Sequence, residues 1–430
     1  MTESEEGVFQ SSDGGGGRVA GSNVATVRLI EAAAVFLLVL LPVAPAQAHD
    51  IEPGADLRVT QTFSAGEVTL VVAGVSQVPA PLPVSAHAMR PMRLELELRS
   101  MTDGSSSTGV VDTGRAPAVL RIQHEGPHEL RIRSGDEVSL VPFRLVVPES
   151  SGATMVTDGA FLVAGLLLVG SVLAGRGSRI LAGGSVAAAA VAVTVTLLAP
   201  YLSPAGSSGE PERGRPYAQA RFSTTPAVTG AEFTLTMRLS DGATGRPVDD
   251  LAVDHEAMAH VVVTSADGAV FRHLHPLRIA PGVLTVGLTL PRPGRYLAYL
   301  EIERQQSGGQ LLSGTFDVSG TVRQDTADHS PSDRNIIVPR LFPGEPRAGS
   351  PVTIEIGTEG PHRPWLGMPG HLVVRSSDGA HLAHVHATAA GAALLRFTFA
   401  LPEPGHYLAW VQYIVGDRLM TEPFTVEVGR

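Results

Sequence analysis

The sequence predicts an all-β protein built from several sandwich domains and joined to a few hydrophobic helices. Three observations carry that expectation. At 430 residues the chain is long enough for several cores. Its 47 Gly and 32 Pro, with 5% aromatic and 17% charged residues, suit many short strands and turns. Short β-branched runs broken by turn signals recur about every ten residues along three separate stretches. The full expectation is three immunoglobulin-like β-sandwiches outside the membrane, a transmembrane helical hairpin and an N-terminal signal or anchor segment.

Composition also excludes classes of function. The formal net charge of -10 offers no concentrated basic surface for phosphates, so nucleic acid is not expected as a partner. The chain has no Cys, which rules out disulfides, thiolate nucleophiles and Cys-ligated metal centres. A transition metal would have to be held by His, Met or carboxylate. Most of the 15 His fall between His255 and His406.

Taken in order, residues 1–48 read as an N-terminal extension and signal peptide, or an anchor. Arg28 precedes an apolar run, and Ala46-Gln47-Ala48 offers a cleavage site that would leave His49 first. Residues 49–150 are expected to form the first sandwich. Residues 156–202 hold two uncharged apolar stretches, 159–175 and 180–201, read as the transmembrane hairpin. The loop Arg176-Gly177-Ser178-Arg179 carries two Arg and no acid, which places it in the cytoplasm and both flanking regions outside. The cell membrane is the expected location and the lipid bilayer an expected partner. Residues 203–219 and 319–334 are polar, Gly-, Ser- and Pro-rich linkers around the second sandwich, 220–318, and the third, 335–430.

The last two blocks repeat one another. A shift of 111 positions lays His260, Asp267-Gly268, His273, His275, Pro293-Gly294 and Tyr296 on His371, Asp378-Gly379, His384, His386, Pro404-Gly405 and Tyr407 without a gap. In each copy a β-branched strand, an Asp-Gly turn and a returning strand form a hairpin. With Thr264 and Ala269 closing the first hairpin, His260 faces His273 and Met258 faces His275, all on one side of the sheet. The second copy pairs His371 with His384, places His386 beside them and has Pro369 in place of the Met, with Met368 one residue off register. Val262 and Phe271 share the His face while Val261 and Val263 take the other, so the core face stays open at this point.

Three imidazoles, with a thioether in the first copy, point to copper, and zinc is the alternative. The expected ligands are His260, His273, His275 and Met258 in one site and His371, His384 and His386 in the other. His255, His362 and His381 are further candidates. So are His49 as an N-terminal copper chelator and the group His87, Met89 and Met92 in the first block.

The stretch His255-Glu256-Ala257-Met258-Ala259-His260, then His273-Leu274-His275-Pro276, then Pro293-Gly294-Arg295-Tyr296, resembles bacterial secreted and membrane proteins with YtkA-like or FixH-like immunoglobulin-type domains. The resemblance covers roughly residues 220–430, and it implies sandwiches outside the cytoplasm with a connection to heavy metals. The expected function is copper handling or resistance by a membrane-anchored, non-enzymatic protein with a metal-handling or envelope protein partner. The competing readings are an envelope interaction module without metal and a zinc-dependent enzyme. No acid recurs beside the repeated His, because Glu256 corresponds to Gly367.

Overall fold

A computed structural model describes residues 54–147, 159–167, 189–191, 193–194, 216–305, 307–321 and 338–430. The expected signal segment, most of the two apolar stretches and most of both linkers lie outside the described residues; β9 begins at Ala218, inside the first expected linker. Residues 159–167, 189–191 and 193–194 are helical. Among the described residues no helix is long and apolar enough to cross a membrane.

The first block contains β1 (Leu57–Phe63), β2 (Gly66–Val72), β3 (Ala80–Ala88), β4 (Arg93–Ser100), β5 (Ser106–Asp112), β6 (Ala118–Ile122), β7 (Gly126–Ser134) and β8 (Glu137–Leu145). They form two antiparallel sheets ordered β1-β2-β3-β6 and β5-β4-β7-β8. Alternation decides which side is buried. Leu94, Leu96 and Leu98 of β4 face inward between exposed charges, and meet Leu70, Leu82 and Leu120 of the other sheet.

The second block contains β9 (Ala218–Thr224), β10 (Glu232–Asp241), β11 (Ala259–Ser265), β12 (Phe271–Leu274), β13 (Leu277–Ala280), β14 (Val283–Thr289), β15 (Gly294–Arg304) and β16 (Gly308–Val318). Its sheets run β13-β14-β10-β9 and β12-β11-β15-β16. The third block contains β17 (Arg340–Phe342), β18 (Pro351–Gly357), β19 (His362–Arg363), β20 (His371–Ser376), β21 (Leu382–His386), β22 (Thr388–Gly391), β23 (Leu394–Ala400), β24 (Gly405–Val415) and β25 (Arg418–Val428). There β17-β18-β23-β22 face a sheet in which β24 lies between β20 and β25, with β21 beyond β20. Each of these two blocks fixes a corner with a tyrosine. The Tyr296 hydroxyl donates to Arg292 O at 2.8 Å and the Tyr407 hydroxyl to Glu403 O at 2.9 Å.

The three blocks share their central strand order. In the first, β3 pairs β2 and β6 and the next strand, β4, crosses to the sheet β5-β4-β7-β8. In the second, β10 pairs β9 and β14 and β11 crosses to the sheet β12-β11-β15-β16. The first differs at an edge, with β1 beyond β2 where the second has β13 beyond β14.

The central strands β11 and β20 are buried on both faces along their whole length. Val261 and Val263 enter the core of the second sandwich, and Leu372 and Val374 that of the third. The opposite faces meet each other. Val262, Phe271 and Tyr299 pack against Val373 and Trp410 in one separate cluster, with Phe271 and Trp410 stacked at 4.8 Å. Each hairpin turn fits onto the other copy. The Tyr299 hydroxyl donates to Gly379 O at 2.6 Å, and the buried Arg375 guanidinium donates to Ser265 O at 3.0 Å and Ala266 O at 2.9 Å.

Gly379 sits at φ 78, and a Cβ there would meet the Leu297 side chain and the Tyr299 hydroxyl. Backbone strain and overlap together make Gly379→Ala destabilising by about 2 kcal/mol, enough to lower a thermal midpoint by several degrees. Gly309→Ala, with nothing within 4 Å of the added carbon, serves as the control expected to leave the midpoint in place. Equal midpoints for the two variants would mean that the turns do not dock as described.

Candidate metal centre

The turn chemistry sets where each histidine lands. Ser265 Oγ accepts from Val270 N at 2.9 Å, Asp267 Oδ1 accepts from Ala269 N at 3.1 Å, and Ser265 N donates to Val270 O at 3.0 Å. The loop is thus closed by Ser265 and Val270 rather than by Thr264 and Ala269, and the ladder moves by two residues. Val262, not His260, lies opposite His273. In the second copy Val373 lies opposite His384 and His371 opposite His386, correcting the expected pairing of His371 with His384. A shift of two keeps every side chain on its face, so the three imidazoles of each hairpin still converge.

Each hairpin assembles three histidines whose ligand nitrogens all lie within 4.8 Å of one another: His260, His273 and His275, and then His371, His384 and His386. Either group could hold a metal ion. His275 lies just past the end of β12 and is pinned by the first sandwich, its N–H donating to Thr62 Oγ1 at 2.9 Å while its carbonyl accepts from Thr62 N at 2.7 Å.

The outer nitrogens are already engaged. His260 Nε2–H donates to Asp254 O at 3.2 Å, His273 Nδ1–H to Gln412 Oε1 at 2.9 Å and His275 Nδ1–H to Glu67 Oε2 at 2.8 Å. In the second group His371 Nε2–H donates to Trp365 O at 3.0 Å and His384 Nδ1–H to Glu301 Oε2 at 2.8 Å. A neutral imidazole that donates from one nitrogen presents a lone pair at the other. Lone pairs therefore face each other, His260 Nδ1 and His273 Nε2 at 3.3 Å and His371 Nδ1 and His384 Nε2 at 3.1 Å. Two nitrogens each about 2.0 Å from one tetrahedral ion stand about 3.3 Å apart. The third nitrogen of each group, His275 Nε2 and His386 Nε2, is buried without a hydrogen-bond partner among the described residues.

Electrostatics agree with neutral rings. Burial first, and the neighbouring imidazoles second, push His260, His273 and His371 well below the ordinary 6.5. Burial likewise brings His384 and His386 down to about 3. For Glu67 burial works upward, but its electrostatic pairing with His275 and the hydrogen bonds from His275 and Trp365 outweigh it and lower the carboxyl. Burial raises Glu301.

Several expected candidates are placed elsewhere. Met258 precedes β11 and is buried in the hydrophobic cluster of the first sandwich, not opposite His275. Met368 pairs through its backbone with Trp365. His255 stacks on His386 with ring centroids 3.6 Å apart. His362 contacts Gly391 O at 3.1 Å, and His381 lies 3.4 Å from Glu403. In the first block His87 and Met89 are exposed while Met92 is a core residue, so the soft cluster does not assemble. His49 lies outside the described residues. The supporting partners Glu67, Glu301, Gln412 and Trp365 were not foreseen. Glu301 and Gln412 occupy matching positions of the repeat, a signal the sequence did contain; Glu67 lies 208 residues from His275 and left none.

Comparison with known proteins matches residues 218–321 and 343–430, less than half of the chain, to a family described as a domain of unknown function (DUF8832). No curated protein matches the sequence. Among solved structures the chain is similar to red sea bream transglutaminase, at 11% identity and TM-score 0.17, over 49% of this chain and 31% of that one. It is also similar to a tetra-tandem repeat in the extending region of a large adhesion protein, at 9% identity and TM-score 0.17, over 88% of this chain and 93% of that one. Fold scores this low carry no functional argument.

The buried imidazoles have a consequence for stability. Unfolded, each takes up a proton near pH 6.5; folded, His384 stays neutral down to about 3. The unfolded state thus binds more protons, so stability is whole above pH ~6.5 and is lost as pH falls from there. Each such ring contributes a slope of about 1.4 kcal/mol per pH unit. Denaturant unfolding of the metal-free chain at pH 7.5, 6 and 5 is expected to show a steep decline, and His384→Gln should make it shallower. A pH-independent midpoint across this range would contradict the neutral, buried cluster.

Proposed function

We propose that this protein binds transition-metal ions at two three-histidine sites and handles copper outside the cytoplasm, with zinc as the alternative ion. The observation that carries this reading is the tautomer arrangement: buried outer N–H groups are spent on fixed acceptors, and lone pairs face one another. Acceptors behind metal-ligating His fix the ring and raise its basicity. An all-imidazole site ranks copper above zinc by intrinsic affinity. Zinc usually takes four ligands, and the nearby carboxylates of Glu67 and Glu301 are engaged by imidazoles. Among the described residues, the same engagement leaves neither of these carboxylates free beside the histidines, which supports a binding role over a hydrolytic one.

The second and third sandwiches read as immunoglobulin-like, with antiparallel sheets of four strands, or five where β19 is added, in facing pairs and a tyrosine at the start of β15 and β24. The apolar stretches 159–175 and 180–201 with their Arg-bearing loop support a tether to the cell membrane that leaves both folded parts outside. In that setting a metal-handling or envelope protein is the expected partner.

Two experiments test this reading. In a copper titration the purified chain is expected to bind two ions; His273→Ala should abolish one of them, whereas Arg272→Ala, on the opposite face, should leave both. Competition with zinc decides the ion, and binding no tighter than that of a chain lacking all six histidines would end the metal reading. For topology, the absence of Cys allows single reporters. A Cys at Ser178 should resist impermeant thiol reagents in intact cells and one at Ser207 should react; the reverse pattern would place the sandwiches inside.

A further inference from the structure

The two histidine groups share one interface, and each is completed by the other repeat. Gln412 of the third sandwich orients His273 of the second, and Glu301 of the second orients His384 of the third. Counted along the repeat these are the same contact made twice, in opposite directions. Ring spacings do not separate the groups either. His384 stands 4.9 Å from His273 and 5.2 Å from His260 across the interface, against 5.3 Å from His371 and 4.6 Å from His386 in its own hairpin. His273 and His371 are 6.0 Å apart.

Resting on the metal-binding reading above, we propose that the six histidines form a single binuclear metal centre, with His384 between the ions, rather than two independent sites. Glu67 closes this centre from the first sandwich, accepting from His275 Nδ1–H with one oxygen and from Trp365 Nε1–H at 2.7 Å with the other. A ligand of the first ion and a residue whose carbonyl holds a ligand of the second are thereby tied to one carboxylate.

Two ions so close interact through their charges. The repulsion scales with the charge product, four for a pair of dications and one for a pair of monovalent ions, and is little screened in a dry interface. The second Cu(II) should therefore bind at least about tenfold more weakly than the first, and the gap should narrow for Cu(I).

The test uses the full chain and electron paramagnetic resonance during Cu(II) titration. At one equivalent the spectrum should be that of isolated Cu(II); at two it should show dipolar broadening with a half-field transition. His386→Ala, at the half-buried edge of the centre, should take up one ion and show no half-field signal, with circular dichroism confirming its fold. Two bound ions whose spectra simply add, or two equal binding steps, would overturn the binuclear centre and leave the metal reading intact. No bound copper or zinc at all would remove both.

Discussion

The second and third sandwiches each have a central sheet with two buried faces, and a sandwich core can cover only one of them. The other face of β11 and β20 carries valines and histidines in alternation, flanked by Phe271 or Trp410. Left in water, such a face would expose a continuous apolar patch. Burying it against its own copy removes that patch but also takes six imidazoles out of water, and each buried N–H must then find an acceptor. The carbonyls of Asp254 and Trp365 and the side chains of Gln412, Glu301 and Glu67 meet that demand for five of the six. The convergence of lone pairs follows from how the outer nitrogens are satisfied.

Much of this was legible in the residues. The repeat located both hairpins, and the two-residue period of a strand placed His260, His273 and His275 on one side. The register was not legible, because it depends on which side chain closes the turn. Ser265 and Asp267 bond the backbone ahead of them and move the closing pair one residue further along the chain on both strands, from Thr264 and Ala269 to Ser265 and Val270. The resulting error of two is invisible to face assignment, which is why the histidines still converged; Met258 did not because it precedes β11. Nor could the choice of core face be read from one repeat, since the partner that buries the His face lies in the other. Long-range partners were beyond reach for the same reason: nothing near Glu67 in the sequence marks it as the acceptor for His275.

The first sandwich differs at one sheet edge and lacks the repeated histidines, yet it is bound into the same unit. Thr60 N and Thr62 N donate to Glu256 O and His275 O on either side of the second sandwich's histidines, and Arg58 pairs with Glu256 at 2.6 Å. Met258 and Leu277 complete the apolar side of this contact. The residues just before β11 adopt a strained backbone, with His255 at φ 45 and Glu256 at φ 60, and the matching Leu366 and Gly367 lie at φ 52 and φ 71. In both copies a local backbone bridge closes the bend, Asp254 with Ala257 and Trp365 with Met368. What sequence reading took for an extended Met-bearing strand is a bent segment whose Met packs into a neighbouring domain.

A true two-fold dimer of one domain would be obliged to place identical residues on both sides of its axis. Fusing the two copies in one chain lifts that obligation. Here Glu301 stands where the other half has Gln412, and His255 where it has Leu366. The two halves of the centre thus share a geometry but not a chemistry: His384 is backed by an acid where the matching His273 is backed by a neutral amide, and His386 lies against an additional imidazole. Broken symmetry of this kind gives an otherwise degenerate pair of positions an intrinsic polarity, so that "first" and "second" become properties of the protein rather than accidents of arrival.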